Sequence, residues 1–261
     1  MSMLAAIGEG AIRRWDHVRY TAAVTASALR LAARPASWTG PVRLLVAKQI
    51  LFTGVDAVGL ILFIGLLVGL SVVTQAQLWL TRFGQSEMLG PLLVAVLIRG
   101  AGPVLVNFIV IGRSGTAIVT ELATMRVHGQ VRMLDAQGVD PMIYLVMPRI
   151  LGVAVSVLCL TVLFVVGSLG AGYLVGLLLG VGAGAPSLFL ESVLRPIRLT
   201  DVFDFLAKST VPGLLAGAIC CIEGLSISGS ATEVPQAATR AVVRSIAALL
   251  VVSAVVSVLA L

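Results

Sequence analysis

Five long stretches of this 261-residue chain are almost free of charged side chains. Residues 57–81, 150–190 and 245–261 contain none, and residues 88–112 and 205–222 contain only Arg99 and Lys208. A helix needs about 20 apolar residues to cross a bilayer. Only 11% of the residues are charged, whereas soluble domains average roughly a quarter. The chain is therefore predicted to be an integral membrane protein, and not a soluble enzyme, a disordered chain or a nucleic-acid-binding domain.

We predict an all-α fold with five membrane-spanning helices, spans 1 to 5, at about residues 54–79, 88–112, 149–180, 201–223 and 240–260. The stretch 150–190 is interpreted as one long span and not as a hairpin, because a glycine-rich turn inside hydrocarbon leaves backbone groups unpaired. Gly84 and Gln85 are predicted to turn the chain before span 2, and the segment Gly180–Pro186 is the predicted helix breaker after span 3.

Basic residues indicate the orientation. If the N-terminus is cytoplasmic, segments 1–50, 113–149 and 224–244 lie on the same side and hold 13 of the 18 basic residues. The loops on the opposite side then hold only Arg82, Arg195 and Arg198. Because cytoplasmic loops are enriched in Lys and Arg, this distribution favours a cytoplasmic N-terminus and a C-terminus on the other side.

Residues 1–50 form an N-terminal segment distinct from the membrane domain at 51–261. Trp15, Val18, Ala22 and Thr25 recur at helical spacing, while arginines occupy other faces. This pattern is typical of a helix lying in the headgroup region of an anionic leaflet. A solvated cytoplasmic tail is the alternative.

Residues 113–148 carry too many charges for a span, yet their apolar residues keep helical spacing. The phase changes near Val127, which predicts a kink or two short helices. Gly138, followed by Asp140 and Pro141, predicts a helix end and a new start. The segment is predicted to be an organised docking element, with a solvated loop as the alternative.

Two cations lie inside spans. Arg99 is about 11 residues from the nearer end of span 2, which places it near the midplane. A central arginine is costly to insert and needs a partner, a hydrated cavity or an anionic ligand, so Arg99 is a candidate for contacting an anionic substrate or for a buried ion pair. Lys208 is a second candidate, although Asp201 or Asp204 is placed to neutralise it.

No pattern of catalytic, cofactor-binding or metal-binding residues is present. The three cysteines lack the spacing of a disulfide framework or a metal site, and His17 and His128 stand alone. There is no P-loop, nucleophile elbow or HExxH motif. If the chain carries out active transport, the energy for that transport must therefore come from a partner protein.

Several short motifs of the chain form a recognisable set. They are Arg99-Gly-Ala-Gly-Pro103-Val104, Gly112-Arg113-Ser114-Gly115, Thr120 to Val127, Leu134-Asp135-Ala136, Gly138-Val139-Asp140-Pro141, Pro148-Arg149, Lys208-Ser209 and Ala238 to Val243. Together they resemble the MlaE/YrbE family, the permease subunits of lipid-handling ABC transporters associated with MCE-domain proteins. Gln75 falls where that family has a glutamine, and the resemblance covers about residues 49 to 260.

The resemblance implies a homodimer in the bacterial inner membrane, with its C-terminus periplasmic. Two ATPase subunits, which carry the ATP and Mg²⁺, would grip the segment between spans 2 and 3, and a ring of MCE proteins would receive or deliver phospholipid. It places coupling to the ATPase on Glu121, Thr124, Met125, Val127 and Gln130, with Arg113, Asp135, Asp140, Pro141 and Arg149 holding the element in place.

A lipid pathway is expected between the two copies, lined mainly by spans 1 and 5. Gly65 and Gly69 form a small-xxx-small pair that lets another helix approach closely. With Gln75, Arg99 and Lys208 they are our candidate pathway residues. The chain departs from the family at Gly100, where an acidic residue usually follows the arginine, and at His128-Gly129.

Two rival functions remain open at this stage. One is a membrane scaffold that anchors an MCE assembly without moving lipid. The other is an ion-coupled secondary transporter, against which the sequence shows no inverted repeat and almost no acids within the spans.

Overall fold

The computed structural model describes residues 3–83, 88–178 and 191–259, and the regular elements within these ranges are all helical. The turn predicted at Gly84-Gln85 and the breaker predicted at Gly180–Pro186 lie outside the described residues. The main helices are α1 (Met3–Ala32), α2 (Gly40–Thr53), α3 (Val58–Arg82), α4 (Leu89–Val127), α5 (Gln130–Ala136), α6 (a π-helical turn at Met142–Val146 continued by Met147–Leu178), α7 (Leu199–Leu225) and α8 (Val234–Leu259).

Five helical stretches are long and apolar enough to cross a membrane, which confirms the all-α, five-span fold class. They are Gly40–Leu80, Leu89–Val127, Met142–Leu174, Leu199–Leu225 and Ala231–Leu259. The first begins before the predicted start of span 1, because α2 leads through a single 3-10 turn at Val55–Ala57 into α3. Since α2 also packs on α6, with Gln49 against Gly152, residues 40–53 belong structurally to the bundle.

Span 3 is one helix, as predicted. α6 continues through Gly167, Gly170 and Gly172 without a turn, because it packs side by side with α3. A Cβ atom at Gly65 would lie 3.1 Å from the carbonyl oxygen of Phe164, and one at Gly172 would lie 2.2 Å from a Val73 methyl group. Because the residue numbers of the contacting pairs rise together in the two helices, α3 and α6 run parallel.

α4 and α7 form a second parallel pair. Contacts of α4 with α7 run from Arg99 beside Asp201 to Asn107 beside Ser209, each joining residues 102 apart. They end where a Cβ at Gly224 would lie 2.9 Å from the Cβ of Leu122. Two spans separated by one complete span must run in the same direction, so this pairing agrees with an undivided span 3.

The helix that contains span 2 continues beyond the predicted end of the span at residue 112. α4 continues to Val127 and contains 39 residues, about 58 Å, nearly twice the thickness of the hydrocarbon core. The charge at Arg113 marks where the apolar stretch ends, but a charge does not break a helix. The chain passes that point through a π-helical turn at Ile111–Gly115, a local form in which the helix gains a residue without stopping.

The predicted breaks within 113–148 are confirmed. α4 ends at Val127 and α5 begins at Gln130, with Gly129 between them at φ +72°. Gly138 adopts φ +75°, and both angles favour glycine because a Cβ is disfavoured there. Asp140 then accepts a hydrogen bond at Oδ1 from the Met142 amide at 2.8 Å, which caps the start of α6.

The N-terminal segment is helical. α1 packs on the bundle through Thr25 and Ala28, which are buried, while Val18 and Ala22 remain exposed beside that contact. Trp38 fixes the following turn, since its indole Nε1 donates to the Ala32 carbonyl oxygen at 2.7 Å. The position of α1 in a lipid headgroup region stays a prediction.

Candidate functional site

The last three turns of α4 and the start of α5 line a shallow, open groove of about 760 Å³. Seven residues line it: Thr116, Ala117, Thr120, Glu121, Thr124, Met125 and Gln130. Four of the predicted coupling residues are therefore neighbours on one concave surface, which we call the coupling groove. Val127 is half-buried and packs against the core of the bundle, so it supports the groove from behind.

Arg149 lies beneath the coupling groove and is buried. Its guanidinium donates from Nη2 to Glu121 Oε1 and from Nη1 to the Leu145 carbonyl oxygen, each at 2.8 Å. Glu121 is 57% exposed at its side chain, so one of its faces is open to the groove while it neutralises the arginine. Glu121 thus has a structural partner as well as a position in the groove.

Replacing Glu121 by glutamine should lower the free energy of unfolding by about 1 kcal/mol. The amide keeps an acceptor oxygen but removes the charge that compensates buried Arg149, and water screens part of the loss. Thermal unfolding in detergent measures the effect. Asp135→Asn, at an exposed carboxylate on neighbouring α5, is the control, and equal stability of the two variants would contradict the role of the pair.

The other predicted supporting residues lie around the groove. The Arg113 guanidinium lies 5.9 Å from the centre of the Phe52 ring, which joins α4 to α2. Pro141 immediately precedes the first turn of α6 and is half-buried, and Asp140 caps that turn. Asp135 is exposed on α5. Arg113, Asp140 and Arg149 therefore have visible structural partners.

Arg99 and Lys208 lie together in a polar cluster between α4 and α7. Arg99 Nη2 donates to Asp201 Oδ2 at 2.8 Å, and Lys208 Nζ donates to Asp204 Oδ2 at 2.8 Å. Two cations and two carboxylates make this cluster electrically neutral. Asp204 is the neutralising partner of Lys208, one of the two candidates given by the sequence, while Asp201 pairs with Arg99.

The ion pair also sets the level of Arg99 in the bundle. Asp201 lies in the first turn of α7 and accepts from the Arg198 amide at 2.8 Å. The middle of α7 lies about 16 Å from Asp201 along the helix axis. The guanidinium therefore lies closer to one end of the bundle than its position in the sequence suggested. It remains 43% exposed, whereas Lys208 is buried.

The remaining pathway candidates lie on α3. Gly65 and Gly69 are buried against α6, so the close helix approach predicted from their spacing occurs within one copy of the chain. A lipid would reach them only if α3 and α6 separated. Gln75 is exposed on the same helix.

Two buried polar residues were missed by the sequence interpretation. Glu223 lies near the end of α7 and accepts from Arg240 at 3.4 Å and from Arg244, which ties α7 to α8. Asn107 is fully buried between α4 and α7. Each is an isolated polar residue in or beside an apolar stretch, and that isolation was the available signal. Among the described residues, no group of three His, Cys, Asp or Glu side chains is placed to hold a metal ion.

Comparison with known proteins identifies the family. Residues 46–259 match the family described as Permease MlaE. A probable ABC transporter permease protein of Rickettsia typhi is 34% identical over 203 residues, 77% of each chain. The protein TRIGALACTOSYLDIACYLGLYCEROL 1, chloroplastic, of Arabidopsis thaliana is 30% identical over 80% of this chain and 59% of its own length.

The intermembrane phospholipid transport system permease protein MlaE of Haemophilus influenzae is 28% identical over 203 residues, again 77% of each chain. The segment that matches the family, residues 46–259, includes most of the first apolar helix and all of the other four. By this coverage, and by the five-helix bundle that carries it, the chain belongs to the MlaE permease family of ABC transporters.

Proposed function

We propose that this chain is the membrane subunit of an ATP-driven ABC transporter that moves phospholipid or a related lipid between the bacterial inner membrane and an MCE-protein ring. Two copies would pair, and two ATPase subunits carrying ATP and Mg²⁺ would bind them from the cytoplasm. Family membership supports the transporter class, and the name of the Haemophilus influenzae relative supports the lipid substrate. The distribution of basic residues supports a cytoplasmic N-terminus and a periplasmic C-terminus.

The coupling groove is the observation that carries this proposal. Its residues from Thr116 to Met125 lie on α4, the same uninterrupted helix that forms span 2. A protein that grips the groove therefore holds one end of a continuous helix whose other end lies among the spans. Exposed Thr124 and Gln130 and half-buried Met125 offer a polar and apolar surface suited to a docking helix or loop.

The lipid route is proposed to pass beside the exposed candidates, Arg99 and Gln75. Arg99 is already paired with Asp201, so a phosphate group would have to share or displace that carboxylate. Lys208 is buried on Asp204 and the Arg99 carbonyl oxygen, so it would shape the route without touching the lipid. Gly65 and Gly69 would act by allowing α3 and α6 to pack closely or to separate.

Native mass spectrometry of the protein, purified gently from its own membranes, tests the proposal. The expected result is a complex of two copies of this chain, two ATPase subunits and bound lipid. A lone oligomer without an ATPase, under conditions that preserve other ABC complexes, would contradict it and favour a scaffold. Lipid transfer by the isolated chain in response to an ion gradient would favour a secondary transporter.

A further inference from the structure

Each helix of the α4–α7 pair contains a proline near its buried polar residues. In an α-helix, the carbonyl of each residue accepts from the amide four residues later, and proline has no amide hydrogen. Pro212 stands four residues after Lys208 in α7, so the Lys208 carbonyl oxygen lacks its usual donor. Pro103 in α4 instead follows a π-helical segment at Val94–Ala101, where each carbonyl pairs with the amide five residues later.

The backbone carbonyls of Arg99 and Lys208 each receive a side-chain donor from the opposite helix. Lys208 Nζ, from α7, donates to the Arg99 carbonyl oxygen at 2.8 Å. Asn107 Nδ2, from α4, lies 3.3 Å from the carbonyl oxygens of both Lys208 and Ser209. It also donates to the Pro103 carbonyl oxygen of its own helix at 2.9 Å. Each helix therefore donates a side-chain hydrogen bond to a backbone carbonyl of the other, and at Lys208 this donor replaces the one that Pro212 lacks.

The surroundings make these contacts strong. Asn107 and Ser209 are fully buried, and Lys208 and Asp204 nearly so. A buried carbonyl without a donor is costly, and an unpaired buried charge more so, because water cannot replace the lost partner. Asp204 holds the Lys208 ammonium in place at 2.8 Å. Sliding α4 along α7 would break both donor contacts at once.

We propose that Asn107 and Lys208 lock spans 2 and 4 together beside Pro212, so that the two helices move as one body when a partner pulls on the coupling groove. The groove begins nine residues after Asn107 on the same helix, at Thr116. At the far end of the pair, Gly224 packs on Val119 and Leu122, so α7 follows α4 there too. Asn107 and Lys208 are positioning residues in this scheme, which rests on the proposed function.

The lock makes a specific prediction about rescue. Asn107→Leu keeps the size of the side chain but removes the donor, which leaves the Lys208 carbonyl open. Pro212→Ala restores the amide hydrogen that this carbonyl would accept from within α7. Asn107→Leu should therefore lower the Tm in detergent, Pro212→Ala alone should change it little, and the double variant should recover most of the loss.

Transport supplies the second readout, measured on the complex with its ATPase at a temperature where every variant is folded. Asn107→Leu should reduce the lipid transferred per ATP hydrolysed by about tenfold, and Pro212→Ala should restore part of it. If Asn107→Leu alone yields no folded protein, recovery of folded protein in the double variant is the expected result.

Three outcomes would overturn the proposal. They are an unchanged Tm in Asn107→Leu, additive losses in the double variant, and a lowered Tm with an unchanged ratio of lipid to ATP. The Tm measurements need neither ATPase nor lipid. Failure of the wild-type complex to transfer lipid would therefore count against the proposed function, and the Tm cycle would still decide whether the lock exists.

Discussion

Replacing Thr124 by tryptophan should weaken binding of the ATPase by about 30-fold or more and abolish ATP-dependent lipid transfer. Thr124 is exposed and lines the coupling groove, so a large rigid side chain there fills the space that a partner segment would occupy. Thr124 makes no side-chain contact on which the fold depends within the described part of the chain, which keeps the variant folded. Co-purification of the ATPase with the tagged permease measures binding.

The control for Thr124→Trp introduces the same side chain outside the groove. Gln137 lies just after α5, is exposed, and does not line the groove. Gln137→Trp should leave the ATPase bound and lipid transfer unchanged. If both variants retain the ATPase, the docking site lies elsewhere and the coupling role of the groove is wrong.

A single methyl group at Gly69 should destabilise the bundle by about 1–3 kcal/mol. Its Cβ atom would lie 2.1 Å from the carbonyl oxygen of Ser168, a backbone atom of α6 that cannot rotate away. α3 and α6 would have to separate along their shared length. Gly69→Ala should accordingly lower the midpoint of thermal unfolding in nanodiscs or detergent.

Two other glycines of α3 calibrate that effect. A Cβ at Gly59 would meet no atom within 4 Å, so Gly59→Ala should be neutral or slightly stabilising, because alanine favours a helix more than glycine does. Gly65→Ala, with 3.1 Å to the Phe164 carbonyl oxygen, should fall between the two. Equal midpoints for Gly59→Ala and Gly69→Ala would show that the contact between α3 and α6 is looser than the structure indicates.

The coupling segment illustrates how far the sequence could be interpreted. A break near Val127 and a helix end at Gly138 were predicted from local signals. The structure has the first break at Gly129, and both glycines occupy the positive-φ conformation that glycine favours. The helix does not end at the predicted boundary of span 2 near Arg113, because hydropathy reports where an apolar segment ends and not where backbone hydrogen bonding ends. The groove itself combines α4 with α5, so its concave shape required the angle between them.

The pairings within the polar cluster could not be predicted from the sequence. The sequence indicated that Arg99 and Lys208 are costly to bury and offered two acids, Asp201 and Asp204, as partners for Lys208. It gave no reason to choose Asp201 for Arg99, and Asn107 drew no attention. These pairings join residues about 100 positions apart, and they depend on the register of two parallel helices. Register is set by close contacts such as Gly224 on Leu122, which no local pattern reveals.

The sequence by itself determined that this chain is a membrane protein with five apolar helices, because the cost of burying charge and open backbone groups in lipid is a local property of each segment. It also carried the family resemblance. Only the tertiary structure decided which spans run side by side and which helix satisfies which carbonyl. Those contacts depend on the relative position of helices, and many arrangements of the same five helices satisfy the same local rules.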